Sequence, residues 1–160
     1  MPVRIFAQGE PRLDLPRLLQ AMRNHFSASL EVLRADQSCS WAVLRIESER
    51  HGYSGNFRVN ARLAQTSDYV AADEAELRGR AAGMAGLARR CHTVLEILPE
   101  AEHQLEQASA LDDAPLVNLC AVLASVALGP VLPEDGSTLL GVRSSMERLE
   151  RLLGPPSLLR

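Results

Sequence analysis

The sequence has few aromatic residues and no excess of positive charge. Phe, Tyr and Trp make up 4% of its 160 residues, and its formal net charge is −3. Proteins that bind nucleic acids need cations to neutralise phosphates, and those that bind single strands also need aromatic rings on which bases stack. We therefore expect no nucleic-acid partner.

Cysteine is also scarce, and its spacing excludes common metal and redox motifs. Cys39, Cys91 and Cys120 lie far apart, so no pair has the C-x-x-C spacing of a zinc ribbon or a thioredoxin-type site. Cys91 and Cys120 lie in apolar segments and are predicted to be small buried hydrophobic residues. Unpaired thiols are typical of a reducing compartment, and we expect a cytoplasmic protein.

No segment is long and apolar enough to predict a membrane span. Residues 1–10 lack the apolar core of a signal peptide. The most apolar run, Leu116 to Leu128, has 13 residues, about two thirds of the roughly 20 that a transmembrane helix requires. Asn118 and Ser125 interrupt it. We expect a soluble protein that has no membrane partner.

The most regular hydrophobic pattern extends from Asp73 to Leu98. Apolar residues recur there at alternating steps of four and three, which predicts one long amphipathic helix that packs against a sheet. They are Leu77, Ala81, Met84, Ala88, Cys91, Leu95 and Leu98. Gly79, Gly83 and Gly86 disfavour a helix, and we expect them to let another backbone approach closely.

Period-two alternation predicts strands before this segment. Val3 to Ala7 is a candidate strand, and Asp14 is a good N-cap for a helix that follows. Residues 41–49 and 56–63 alternate between apolar and polar side chains, and His51 to Asn56 reads as the loop of a hairpin. The pattern predicts an antiparallel sheet with one covered face and one face in water.

The remaining segments complete an α+β domain. A helix over 116–128 is apolar nearly all round, so either the core of its own fold or a dimer interface must bury it. A turn at Asp135 and Gly136 and a last helix, Ser145 to Leu153, predict a C-terminal hairpin-helix. The predicted fold is α+β: an antiparallel sheet of about four to six strands, with one face covered by the long helix. We treat residues 1–160 as a single domain and 153–160 as a loose tail.

The sequence carries no recognisable catalytic or metal-binding motif. Glu100 and His103 have E-x-x-H spacing, but di-iron bundles require this pattern on two helices together with further glutamates. The glycines of segment 73–98 match neither a P-loop nor a dinucleotide fingerprint. We predict no catalytic residue, no metal ligand and no cofactor.

The polar face of the predicted sheet is the best candidate for a binding surface. It combines a tryptophan with several arginines, a composition typical of protein-binding hot spots. The candidate partner-binding residues are Trp41, Arg45, Glu47, Arg58, Asn60 and Arg62, with Tyr53 from the adjacent loop.

In its order of elements, the chain resembles the small acidic dimeric chaperones of type III secretion. The resemblance covers residues 13–63 and 113–153, and its local hints are Leu116-Val117-Asn118 and the hairpin around Asp135-Gly136. The predicted helix at 73–98 and the opening strand depart from that pattern, so we assign no family. In size, charge and α+β composition the chain is also similar to small bacterial immunity proteins.

Besides a structural subunit, which would form a symmetric dimer that shares the apolar helix at 116–128, two functional hypotheses follow from the sequence. The first is a non-enzymatic domain that binds another protein, as an adaptor, chaperone or inhibitor, and that can form a homodimer. The second is a small enzyme or ligand-binding domain with a pocket near His51, Tyr53, His92 and His103. An exposed sheet face would favour the first hypothesis, and a deep pocket with converging polar groups would favour the second.

Overall fold

The computed structural model describes residues 2–100 and 113–153, which form a six-stranded antiparallel sheet and five helices. In chain order the elements are β1 (Val3–Ala7), α1 (Leu15–His25), β2 (Ser29–Ala35), β3 (Trp41–Ser48), β4 (Tyr53–Leu63), α2 (Thr66–Gly79), α3 (Met84–Arg89), β5 (Thr93–Pro99), α4 (Ala114–Ala127), β6 (Val131–Leu132) and α5 (Val142–Leu153). The strand order is β2-β3-β4-β5-β1-β6. The predicted α+β class and strand number are confirmed.

One face of the sheet, here called the inner face, packs against α1 and α4. Its apolar side chains alternate along each strand, as in Leu44 of β3 and Val59 of β4, and both are fully buried in the main core. Helix α1 begins as predicted: the Asp14 carboxylate accepts a hydrogen bond from the backbone N–H of Arg17 at 3.2 Å. Leu18 and Met22 then face the sheet.

Helix α4 is the predicted apolar helix, and it completes the core of its own chain. It contacts α1, α5 and strands β1, β3 and β4. Most of its side chains are buried, including the polar Asn118. Its own fold therefore covers α4, which is the first of the two alternatives that its composition left open.

Helices α2 and α3 pack against the opposite face, here called the outer face. They cover only the end of that face formed by β5, β1 and β6, in a second core cluster that includes Phe6, Ala75, Ala88 and Val94. The outer face is therefore not uniformly in water, as the alternation predicted, because helices of the described part of the chain cover about half of it.

The prediction of a single helix from Asp73 to Leu98 is wrong. Helix α2 ends before Arg80, which adopts a left-handed conformation with φ of 53°. A short helix α3 begins after Gly83, whose φ of 87° suits glycine. The last part of the segment is β5, a central strand between β4 and β1.

Burial on both faces explains why β5 resembles part of a helix. Leu95 and Ile97 belong to the inner-face core, whereas Val94 belongs to the cluster under α2 and α3. A strand buried on both sides loses the apolar–polar alternation by which strands are recognised.

Of the three glycines in this segment, only Gly79 makes the predicted close approach. A Cβ atom there would lie 2.8 Å from the Cα of Thr138 and closer still to its side chain, whereas nothing lies within 4 Å of such an atom at Gly86. Gly83 is needed instead for its positive φ.

The C-terminal part follows the predicted hairpin-helix. Val131 pairs with Leu140 across the turn, and α5 begins at Val142, three residues earlier than expected. Of the E-x-x-H pair, Glu100 is among the described residues and His103 lies outside them, as does the expected tail over 153–160 apart from Leu153. Among the described residues, no helix combines the length and apolarity needed to cross a membrane.

Candidate functional site

The part of the outer face that α2 and α3 leave uncovered is formed by β2, β3 and β4. We call it the open surface. Antiparallel register places Trp41 opposite Asn60, Val43 opposite Arg58, and Arg45 opposite Asn56. The prediction that polar side chains of β3 and β4 share one face is confirmed for Trp41, Arg45, Glu47, Arg58, Asn60 and Arg62.

Trp41 and Arg58 form the centre of the open surface. The guanidinium carbon of Arg58 lies 4.4 Å from the centroid of the indole ring, which is cation–π geometry. Arg58 Nε donates to Asn60 Oδ1 at 2.9 Å. No carboxylate of the described residues forms an ion pair with Arg58. The stack is therefore preorganised, and within the described residues no ion pair neutralises the charge of Arg58.

The turn between β2 and β3 fixes the position of Trp41. The Asp36 carboxylate accepts hydrogen bonds from the Ser38 hydroxyl at 2.6 Å and from the Ser40 hydroxyl at 2.6 Å. It also accepts from the backbone N–H groups of Ser40 and Trp41. The hydroxyls of Ser38 and Ser40 lower the pKa of Asp36 to about 2 because they donate to its charged form. This turn holds the backbone of Trp41 at the start of β3.

The other arginines around this centre have acidic partners. Arg45 Nη2 lies 3.1 Å from Glu47 Oε2, and Arg45 Nη1 donates to Asn56 Oδ1 at 3.2 Å. Arg34 of β2 lies 3.7 Å from the Glu100 carboxylate. These residues form a polar rim around Trp41 and Arg58. Their ion pairs are exposed to solvent and therefore contribute little to stability.

A buried ion cluster separates the open surface from the part covered by helices. It consists of Arg4, Arg62, Asp68 and Glu96. The fully buried Asp68 carboxylate accepts from Arg4 at 3.0 Å and from two nitrogens of Arg62 at 2.7 and 2.8 Å. Arg62 also donates to Glu96 at 2.9 Å. Arg62 therefore mainly anchors the start of α2 to the sheet and lies at the border of the candidate surface.

Two factors act in opposite directions on the pKa of Asp68. Burial raises it, but hydrogen bonds from Arg62, from the backbone N–H of Gln65 and from Arg4 outweigh the effect of burial and lower the pKa to about 2. The carboxylate is therefore charged at neutral pH and holds the two arginines together.

Tyr53 does not lie on the open surface, and its role as a partner-binding residue stays a prediction. It begins β4 opposite Ser48, on the inner-face side, and its hydroxyl accepts from Asn118 Nδ2 of α4 at 2.6 Å. Burial raises the pKa of Tyr53. Strand β4 begins at Tyr53, within the segment that the sequence predicts as the hairpin loop. The alternation of β4 between the two faces of the sheet therefore already applies to Tyr53.

The pocket expected near His51, Tyr53, His92 and His103 does not form as predicted. His51 and Tyr53 do lie together, with ring centroids 6.4 Å apart. His92, however, lies beside the far end of β4, where its carbonyl accepts from the backbone N–H of Ala64. An eleven-residue strand separates the two ends by roughly 34 Å. His103 lies outside the described residues.

A cavity of about 530 Å³ lies elsewhere, between the β1–α1 loop, the β2–β3 turn and the end of α4. Its volume is typical of small-molecule sites. Its floor is apolar, with Leu13, Leu18 and Leu123, and its charged side chains, such as Arg12, stand at the exposed rim. The sequence gives no signal for it, because its lining comes from four separate segments without a shared pattern.

The cysteines are free thiols. Cys91 and Cys120 are buried, as predicted, although Cys91 precedes β5 and does not lie within a long helix. Burial raises the pKa of both thiols. Within the described parts of the chain, no group of three or more His, Cys, Asp or Glu residues is arranged to hold a metal ion.

Comparison with protein-family models, with curated proteins and with solved structures found no match to this chain. The open surface, the ion cluster and the cavities are therefore the physical evidence on which a functional proposal rests.

Proposed function

We propose that the protein binds another protein through the open surface, with Trp41 and Arg58 as its centre, and that it acts without catalysis. The observation that carries this proposal is the stacked Trp41–Arg58 pair, which lies on the half of the outer face that no described helix covers. Tryptophan and arginine are the residue types most enriched in binding hot spots.

Charge defines the partner that this surface would accept. Because Arg58 has no carboxylate partner among the described residues whereas Arg45 and Arg62 do, a carboxylate of the partner can pair with Arg58 without displacing an internal ion pair. The exposed part of the indole would meet an apolar side chain beside that carboxylate. We propose a protein partner that presents an acidic residue next to an apolar one.

Adaptor, chaperone and immunity or inhibitor proteins are the roles consistent with such a surface. A cytoplasmic location, a bacterial source and a homodimer are further parts of this proposal. A pocket built from His51, Tyr53, His92 and His103 is not proposed as a second function, because His51 and His92 lie at opposite ends of β4.

Affinity purification of tagged variants from the source cells tests the proposal. Trp41→Ala and Arg58→Glu should each lose a protein that copurifies with the wild type, because the first removes the apolar anchor and the second repels a carboxylate. Arg58→Lys should retain part of it, since the charge remains but the planar stack is lost.

Arg143→Glu is the matched control, because Arg143 is 93% exposed on α5, away from the open surface. It should leave the copurifying protein unchanged. If the recovery of every copurifying protein is the same for the Trp41, Arg58 and Arg143 variants, the proposed surface is wrong. Thermal unfolding of each variant shows whether a loss of binding merely reflects loss of the fold.

A further inference from the structure

The 530 Å³ cavity lies at the edge of the inner-face core, between the start of α1 and the end of α4. Ala7 of β1 and Leu95 of β5 close it on the side of the sheet, and both belong to that core. It therefore lies on the face of the sheet opposite to the open surface, and what it binds does not depend on the proposed protein partner.

Hydrogen bonds hold the wall formed by the β1–α1 loop in place. Gln8, at the start of this loop, donates its backbone N–H to the carbonyl of Ala127 at 3.0 Å and its side-chain amide to the carbonyl of Leu128 at 3.1 Å. At the other end of the loop, the backbone N–H of Leu13 donates to the carbonyl of Cys39 at 2.8 Å. The loop is thus tied to the end of α4 and to the β2–β3 turn. The cavity is preformed, so a ligand gains affinity because it does not have to order these walls.

Four charged side chains line the entrance of the cavity, and all four are exposed: Glu10, Arg12, Asp14 and Arg17. The Asp14 carboxylate is already engaged, because it caps α1 by accepting a hydrogen bond from the backbone N–H of Arg17. Among the described residues, the guanidinium groups of Arg12 and Arg17 have no ion pair or hydrogen bond. Of the groups that remain able to pair with a ligand, two are therefore cations and one, Glu10, is an anion.

The position of Arg17 runs against the charge preference of its helix. The first turn of a helix favours carboxylates, because the backbone dipole places a partial positive charge there. The first turn of α1 contains no acidic residue and does contain Arg17. This end of α1 therefore adds to the positive potential at the entrance, and an anion bound there would offset the repulsion.

The interior of the cavity beyond the entrance is apolar. Val126 of α4 and Cys39 of the β2–β3 turn are partly exposed to it, and the buried Leu123 and Ala127 surround them. An apolar group that enters this space leaves water and packs against apolar side chains, which is favourable. The two parts of the cavity together suit a molecule with an anionic head and an apolar chain.

We propose that the 530 Å³ cavity binds a small monocarboxylate that carries an alkyl chain. The carboxylate accepts hydrogen bonds from Arg12 and Arg17 at the entrance, since the planar guanidinium group matches a carboxylate well. The alkyl chain lies in the apolar interior beside Val126. A head group with a single negative charge fits best, because Glu10 offsets one of the two free cations.

Protection of Cys39 from iodoacetamide by sodium octanoate, followed by mass spectrometry, tests the proposal. Cys39 lines the cavity and is partly exposed, whereas Cys91 and Cys120 are buried, so the labelled thiol reports on this site. We expect octanoate to slow the labelling of Cys39 in a saturable way, with a dissociation constant on the order of 1 mM. Octylammonium chloride and octanol have the same alkyl chain without the carboxylate, and they should require roughly tenfold higher concentrations or more.

Substitutions at the entrance test the sign of the charge that is recognised. Arg12→Gln and Arg17→Gln should each weaken octanoate binding roughly threefold, as expected for exposed ion pairs. Glu10→Gln should strengthen binding by up to roughly twofold, because it removes a carboxylate that repels the ligand. Arg23→Gln, at an exposed position of α1 outside the lining, is the matched control and should have no effect.

Four results would each overturn the proposal. They are the absence of protection by octanoate, equal protection by octylammonium or octanol, weaker octanoate binding in Glu10→Gln, and equal losses in Arg17→Gln and Arg23→Gln. If iodoacetamide does not label Cys39 in the free protein, two-dimensional amide NMR takes the place of labelling. Saturable shifts at Cys39 and Leu13 then support the proposal, and their absence overturns it.

Discussion

Replacing Asp68 by Asn should destabilise the protein more than any other single change of charge in the outer-face ion cluster. The substitution keeps the shape of the side chain but leaves Arg4, which is only 6% exposed, without its counter-ion. Removing one partner of a buried ion pair costs about 3–5 kcal/mol. At roughly 2–4 °C per kcal/mol for a chain of this size, the Tm should fall by about 6–20 °C.

Urea unfolding followed by circular dichroism measures this loss, with Glu74→Gln as the control on the same helix. Glu74 lies 3.8 Å from Arg78 and both are 59% exposed, so its loss should cost under about 0.5 kcal/mol. Adding Arg4→Met to Asp68→Asn should restore part of the stability, because the unpaired buried cation is then removed. A loss below about 1 kcal/mol for Asp68→Asn would refute this reasoning.

The pH dependence of stability gives an independent check on Asp68. Its pKa is lowered from 3.8 to about 2, so its contribution to stability is complete above about pH 4 and declines as the pH falls through 2. The free energies of unfolding of the wild type and Asp68→Asn should therefore converge between about pH 4 and pH 2. A constant difference across this range would show that Asp68 titrates normally.

Two further predictions concern thiol access and close packing. Cys39, at the rim of the 530 Å³ cavity, should react with a thiol reagent in the native protein, whereas the buried Cys120 should react only after unfolding. Equal reaction rates of the two thiols in the native protein would contradict the structure. Gly129→Ala should destabilise the fold by about 2 kcal/mol or more, because its Cβ atom would lie 1.9 Å from the carbonyl oxygen of Phe6. Gly86→Ala should stabilise α3 by up to about 1 kcal/mol, because no atom lies within 4 Å of the added Cβ atom. Thermal unfolding of both variants measures these changes, and a similar effect of the two would contradict the close approach at Gly129.

Strands that are exposed on one face were predictable from the sequence, whereas the doubly buried strand was not. Val59 and Arg58 of β4 alternate because one side faces the core and the other faces water. Val94 and Leu95 of β5 are both buried, so that signal is absent there. A β-bulge between Val32 and Arg34 likewise explains why the alternation in β2 is blurred at Leu33.

The sequence placed the candidate binding residues on one face, but it did not reveal what each of them contacts. Trp41 and Arg58 meet because the register pairs Trp41 with Asn60 and Val43 with Arg58. The alternation implies that they share a face, but the turn between β3 and β4 sets the register. The partner of Arg62 is Asp68, which follows from how α2 packs on the sheet. Packing of distant elements also forms the 530 Å³ cavity, and no local pattern encodes it.

Site-specific photo-crosslinking in the source cells tests the proposed open surface most directly. A benzophenone side chain placed at Asn60, which lies opposite Trp41 and receives a hydrogen bond from Arg58, should form a covalent adduct with a single protein partner. The same group at Arg143 on α5 should form none, and Arg58→Glu should abolish the adduct at position 60. An adduct that persists in Arg58→Glu, or that forms equally from position 143, would contradict binding through this surface.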